Sequence, residues 1–116
     1  MDNLRTMIGQ FAHSARYDCS NLWDVIVAAN TASDADPNLS RMERTLALVG
    51  MLLDRGFQAV DLLPEGKCKP WPDQGKMHIL RTIEREWRAT NDEPWLGMKY
   101  WFDLPEARRP APPPEA

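Results

Sequence analysis

Residues 94–103 pack Trp95, Tyr100, Trp101 and Phe102 into ten positions, and no other segment constrains the fold as strongly. Trp71 and Trp87 lie just upstream, so four of the five tryptophans fall in this part of the chain. Trp and Tyr each carry a large apolar body and a polar tip, which suits them to a core or to a contact surface. A strand buried on one face hides only every second side chain. The run therefore holds more aromatic surface than one such strand can cover. Part of it is expected to stay exposed or to be covered by a partner.

The rest of the chain has to supply a core for this segment. With 116 residues it is long enough to do so as a single domain, and 43% hydrophobic residues is an ordinary globular content. The expected domain covers residues 1–104. From Pro105 onward the proline-rich tail, residues 105–116, is expected to be disordered or polyproline-like, because it has too little apolar surface to pack.

Hydrophobic spacing predicts four helices and two strands. Leu4, Met7, Ile8, Phe11, Ala12 and Ala15 form a helical stripe over residues 3–16. A second helix over 20–30 is expected to bury Leu22, Trp23, Ile26 and Val27. The segment 31–38, rich in Asp, Asn, Ser and Pro, reads as a loop. Ser40 and Glu43 have capping-box spacing and open a helix over 39–55, which should stop at Gly56. A further helix over 74–89 presents Met77, Ile79, Leu80, Ile83 and Trp87 inward. Between these two helices, 57–63 reads as a strand, 64–66 as a turn and 67–72 as a loop. The alternation of Met98, Tyr100, Phe102 and Leu104 reads as a second strand over 98–104. The expected fold class is α+β, a mainly helical domain completed by a two-stranded antiparallel sheet. Its element order is one that a winged-helix-like domain would share.

Composition narrows the function classes. A net charge of −3 argues against a general nucleic-acid binder, which would be basic. The N-terminus lacks the basic start and apolar core of a signal peptide. The longest apolar run, residues 45–53, is too short to cross a bilayer. The expectation is a cytosolic protein whose Cys19 and Cys68 are free thiols, with a single disulfide as the alternative.

No catalytic constellation emerges. His13, Cys19, Cys68 and His78 are the candidate metal ligands, and none forms the close pairs usual in tetrahedral sites, so no metal or other cofactor is expected. Ser14, Ser20, Ser33 and Ser40 sit where capping or loop geometry explains them, and neither cysteine has a motif that would supply an oriented base.

Charge is more telling. Residues 17–40 hold Asp18, Asp24, Asp34 and Asp36 and no Lys or Arg. Residues 66–89 hold Lys67, Lys69, Lys76, Arg81, Arg85 and Arg88 against Asp73, Glu84 and Glu86. Two solvated faces would account for this polarity. So would an acidic surface that docks a basic protein. Arg81, Arg85 and Arg88 stand at i, i+4 and i+7, a spacing that could contact phosphates, although Glu84 can pair with Arg88 at i+4.

The cadence of residues 40–104 adds a resemblance. It runs through Leu53-Asp-Arg-Gly-Phe57, Leu63-Pro-Glu-Gly66, Trp71, Arg81-Thr-Ile83, Glu86-Trp87, Pro94 and Tyr100-Trp-Phe102 to Leu104. It resembles small bacterial proteins, some of which are similar to immunity proteins of polymorphic or contact-dependent growth-inhibition toxin systems. That resemblance implies a non-catalytic cytosolic inhibitor that binds one cognate toxin tightly. A toxin that cleaves nucleic acid carries Lys and Arg to hold phosphates, so its inhibitor gains by presenting carboxylates. Asp24, Asp34 and Asp36 are the expected steering residues, and Trp95 and Trp101 the expected aromatic anchors. The rival expectation is a winged-helix-like DNA-binding regulator using Arg81, Arg85 and Arg88. Neither reading calls for a small-molecule substrate or a membrane.

Overall fold

Among the described residues, side-chain caps decide where four of the five α-helices begin. In the computed structural model, which describes residues 2–108, Asn3 accepts from the Thr6 amide and starts α1, Leu4–Ser14. Asn21 accepts from the Asp24 amide at 2.9 Å and starts α2, Leu22–Thr31. Ser40 and Glu43 form the expected reciprocal box on α3, Arg41–Arg55, and the Ser40 contacts hold the Glu43 carboxyl below its ordinary pKa. Each such cap is worth about 1 kcal/mol. Helix α3 closes on Gly56 at φ 114°, a left-handed conformation that favours glycine. Helix α4, Lys76–Thr90, has no side-chain cap. Asp92 caps α5, Glu93–Lys99, with Pro94 in its first turn.

The sheet has four strands where two were expected. They are β1, Ser20–Asn21; β2, Gln58–Leu62; β3, Cys68–Pro70; and β4, Trp101–Asp103. All pairings are antiparallel, in the order β1-β4-β2-β3. The expected pairing of the two apolar runs is present, with Ala59 opposite Phe102 and Val60 opposite Trp101. Only its C-terminal part is strand, however. Residues 93–99 are helical because the Asp92 cap and Pro94 nucleate a turn that alternation alone does not reveal. The 67–72 loop likewise gives way to β3, an edge strand on which Pro70 removes no needed donor.

The core lies between α2, α3, α4 and one face of the sheet. Leu22, Val25, Ile26 and Ala29 of α2 are buried at i, i+3, i+4 and i+7. This stripe is rotated from the expected one: Trp23 and Val27 are exposed, as is Met77 of α4. Leu48, Leu52, Ile79 and Ile83 meet the α2 stripe, and Phe102 and Leu104 close it from below. Helix α1 packs Leu4, Ile8 and Phe11 only partly against this core.

Cys19 and Cys68 are joined in a disulfide, which corrects the expectation of free thiols. Cys19 precedes β1 and Cys68 opens β3, the two opposite edges of the sheet. In a flat sheet three strand spacings would hold those edges about 14 Å apart. Their Cα atoms are 7.0 Å apart, so the small sheet is strongly curled.

The start of the proline-rich tail is also more ordered than expected. Pro105–Arg108 forms a 3-10 turn, Ala107 packs on the core and Glu106 pairs with Arg55 at 2.8 Å. The remainder of the tail, 109–116, lies outside the described residues. Among the described residues no helix is long and apolar enough to cross a membrane.

Candidate functional site

Helix α5 is only seven residues long, and that shortness is what makes a surface. Its inner side, Leu96 and Gly97, is buried, while Trp95 and Met98 point outward with 46% and 61% of their surface exposed. Gly97 lets the helix sit directly on the first turn of α2. A Cβ at that position would lie 2.6 Å from the Trp23 Cβ and 2.9 Å from its Cα, closer than real contacts allow. Trp23, 37% exposed, is thereby brought beside α5. Trp101 of β4 completes the group: it is half-buried and its indole N–H donates to the Met98 carbonyl at 2.9 Å. Opposite Trp101 across the β1–β4 ladder stands Asn21, whose amide approaches the Met98 sulfur at 4.0 Å.

Trp23 thus meets α5 at Gly97 and Trp101 meets it at the Met98 carbonyl, while Trp95 and Met98 are exposed on the helix itself. Ion pairs brace this surface. Glu93 accepts from Arg41 of α3 at 2.8 and 2.9 Å. Lys99 holds Glu86 of α4 and lies 4.8 Å from the centre of the Trp95 ring, close enough for a cation–π contact. A partner would therefore meet side chains whose positions are already restricted, which reduces the ordering cost of binding.

The expected site residues do not all converge. Trp95 and Trp101 share the surface just described. Asp24 sits one residue from Trp23 on the same turn of α2, exposed, and lines an open groove between α1 and α2 with Asp18, Phe11 and Val27. Asp34 and Asp36 lie beyond the far end of α2, about 15 Å along the helix axis from its start. Both also serve the fold. Asp34 accepts from the Leu4 amide at 2.8 Å and so satisfies the start of α1, and Asp36 accepts from the Asn38 amide at 2.9 Å. Trp23 and Met98 were not foreseen as contact residues. The signal for Trp23 was that its indole leaves the Leu22, Val25, Ile26, Ala29 stripe, and no spacing in the sequence marked Met98.

On the opposite charge pole, His78, Arg81, Glu84, Arg85 and Arg88 line a shallow exposed face of α4. Arg88 is engaged by Glu84 at 3.2 Å, the i,i+4 pair read from the sequence. His13 is exposed, with its ring 6.0 Å from that of Tyr17. Cys19, Cys68 and Asp103, in contrast, converge from separate parts of the chain. No protein-family model matches the chain, and no curated protein or solved structure is significantly similar to it.

The Lys99–Glu86 brace has a measurable pH signature. Burial opposes the Glu86 charge, but Lys99 and the neighbouring Tyr100 hydroxyl favour it more, and its pKa falls below the ordinary 4.5. Burial and the Glu86 charge push the Tyr100 hydroxyl the other way, far above its usual range. A carboxylate depressed in the folded state stabilises the fold above its unfolded pKa, and that contribution is lost as pH falls through the folded value. Glu86→Gln is therefore expected to be less stable than wild type at neutral pH and to lose less on acidification below about pH 4.5. Urea unfolding from about pH 3 to about pH 7 measures both limbs. Parallel stability curves for the two proteins would contradict it.

Proposed function

We propose that the protein is an immunity protein that binds and neutralises a cognate bacterial toxin, with a basic nucleic-acid-cleaving domain as the target. The observation that carries this reading is the exposure of Trp95 and Met98 on α5 and of Trp23, next to Asp24, on the turn of α2 that packs against it, with Trp101 half-buried at the Met98 carbonyl. Large aromatic residues held in place at the centre of a patch are the side chains that dominate binding energy at protein interfaces. An adjoining carboxylate suits a basic partner, both by steering its approach and by fixing register. The resemblance of residues 40–104 to immunity-like proteins supplies the kind of partner. Steering by Asp34 and Asp36 would act from a separate edge of the same acidic segment, and blockage of the toxin's active site or substrate path is the expected mode of inhibition. A cytosolic setting belongs to this reading and bears on the Cys19–Cys68 pair, because disulfides rarely persist in a reducing compartment.

The test is co-expression and binding with the product of the reading frame immediately upstream, where a toxin gene is expected. Trp95→Ala and Trp101→Ala are each expected to weaken the complex about 30-fold or more, the loss typical of a central aromatic anchor. Asp24→Lys combined with Asp34→Lys and Asp36→Lys should slow association and remove its salt dependence. Arg81→Ala, Arg85→Ala and Arg88→Ala together should leave toxin binding intact. The rival reading is a winged-helix-like regulator that contacts DNA through the α4 arginines. Duplex DNA bound by the wild type at physiological salt, and lost in the triple arginine variant, would establish that rival and sink ours.

A further inference from the structure

Cys19, Cys68 and Asp103 come from three segments that the curled sheet brings to one place. One sulfur from each cysteine and one carboxylate oxygen all lie within 4.8 Å of one another. Cys19 and Asp103 are buried and Cys68 is half-buried, so the cluster is enclosed rather than a surface coincidence. Cys19 directly precedes β1 and Asp103 ends β4, each next to a member of the Ser20–Phe102 pair. Two thiolates on one zinc ion sit about 2.3 Å from the metal at a near-tetrahedral angle, which separates the sulfurs by about 3.8 Å, within the 4.8 Å that spans the three ligand atoms.

From this convergence and spacing we propose that the reduced chain binds one Zn²⁺ through Cys19 Sγ, Cys68 Sγ and a carboxylate oxygen of Asp103, and that the disulfide is the oxidised, metal-free form of the same site. Three protein ligands leave a fourth tetrahedral position for water. Thiolate donors select zinc over calcium or magnesium, which take oxygen-rich shells. The exchange is balanced. A dithiol reductant gives two electrons and two protons to the Cys19–Cys68 bond, becoming a disulfide itself, and zinc then displaces the two thiol protons. In a reducing compartment the ion would take over from the disulfide in holding the two sheet edges together. The site adjoins the groove that Trp23 and Asp24 line, and it does not depend on the identity of the toxin.

Anaerobic titration of the reduced, desalted full-length protein tests the proposal, with Co²⁺ as the spectroscopic probe and Zn²⁺ as the competitor. One equivalent of Co²⁺ should bind with thiolate charge-transfer bands in the near ultraviolet and tetrahedral bands in the visible. Zn²⁺ should displace it, protect both thiols from alkylation and raise the melting temperature of the reduced protein. Asp103→Asn should lower affinity about tenfold or more, and Cys68→Ser should remove the charge-transfer bands. The oxidised protein should bind neither ion. The proposal fails if the folded, reduced wild type takes up no stoichiometric metal. It fails equally if Asp103→Asn, shown folded by circular dichroism, binds as tightly as wild type. Should that variant not fold, binding by the wild type that persists unchanged in strong denaturant would reveal a chelate of the unfolded chain and overturn the site.

Discussion

Phe102→Ala is expected to lower the free energy of unfolding by about 3–5 kcal/mol, against a total of about 5–15 kcal/mol for a domain of this size. Phe102 is 1% exposed and is among the largest fully buried side chains of the protein. It also sits at the junction of the two layers. Strand β4 is interior to the sheet, flanked by β1 and β2, and Phe102 pairs with Ser20 on one side and Ala59 on the other. The small Ala59 leaves room for the ring and cannot fill the cavity its removal would create. Loss of the ring removes its transfer energy and leaves a void that strands fixed on both sides cannot collapse into. Urea unfolding should show a lower midpoint with an unchanged slope. Met98→Ala, at an exposed position, is the control and should change stability by no more than about 0.5 kcal/mol. A loss below about 1 kcal/mol for Phe102→Ala would mean that β4 does not anchor the core.

The same strand explains why the binding surface and the core are linked. Successive side chains on β4 point to opposite faces, so the inward placing of Phe102 turns Trp101 outward toward Met98. Trp101 was expected outside for this reason, and Tyr100 and Phe102 are indeed the buried neighbours. What the residues of this segment could not convey is that α5 intervenes before the strand. Met98 fits the alternation of Tyr100, Phe102 and Leu104 by parity, yet it belongs to a helix and is exposed. The stronger signals were a capping Asp92 and a proline two residues later, which act over a single turn and leave no periodicity to read.

Legibility followed the range of the forces involved. The Ser40–Glu43 box and the Gly56 stop are local chemistry, and each occurs where the residues place it. The α2 stripe was misjudged because both sets of residues, Leu22, Trp23, Ile26, Val27 and Leu22, Val25, Ile26, Ala29, are apolar at helical spacing. The choice between them is made by Gly97, which seats α5 against the Trp23 backbone and leaves the indole at the edge. The two-residue β1 and three-residue β3 are too short to show alternation, and they exist because β4 and β2 offer free edges. In the candidate site, Trp95 and Trp101 were accessible to composition arguments, whereas the meeting of Cys19, Cys68 and Asp103 depends on how the sheet curls.

That curl gives the second large effect. Joint replacement Cys19→Ser and Cys68→Ser, with metal chelated, is expected to lower the free energy of unfolding by about 2–4 kcal/mol relative to the oxidised wild type. The two residues are 49 positions apart, and closing a loop of that length in the unfolded chain corresponds to about 4 kcal/mol in the chain-entropy description. The folded state contributes as well. β1 has two residues and β3 three, so neither edge strand has enough ladder bonds to hold the curl unaided. The segment Asp18–Asn21 also feeds the Asn21 cap of α2, so loosening it should fray the turn that carries Trp23 and Asp24. Calorimetric melting of oxidised wild type, chelated reduced wild type and the double serine variant separates these contributions. The last two should melt alike and below the first, and amide exchange should rise in β1, β3 and the first turn of α2 while α3 and α4 stay protected. If the serine variant melts with the oxidised wild type, the sheet edges are held by their ladders and side-chain packing alone, and the covalent tie adds nothing to the fold.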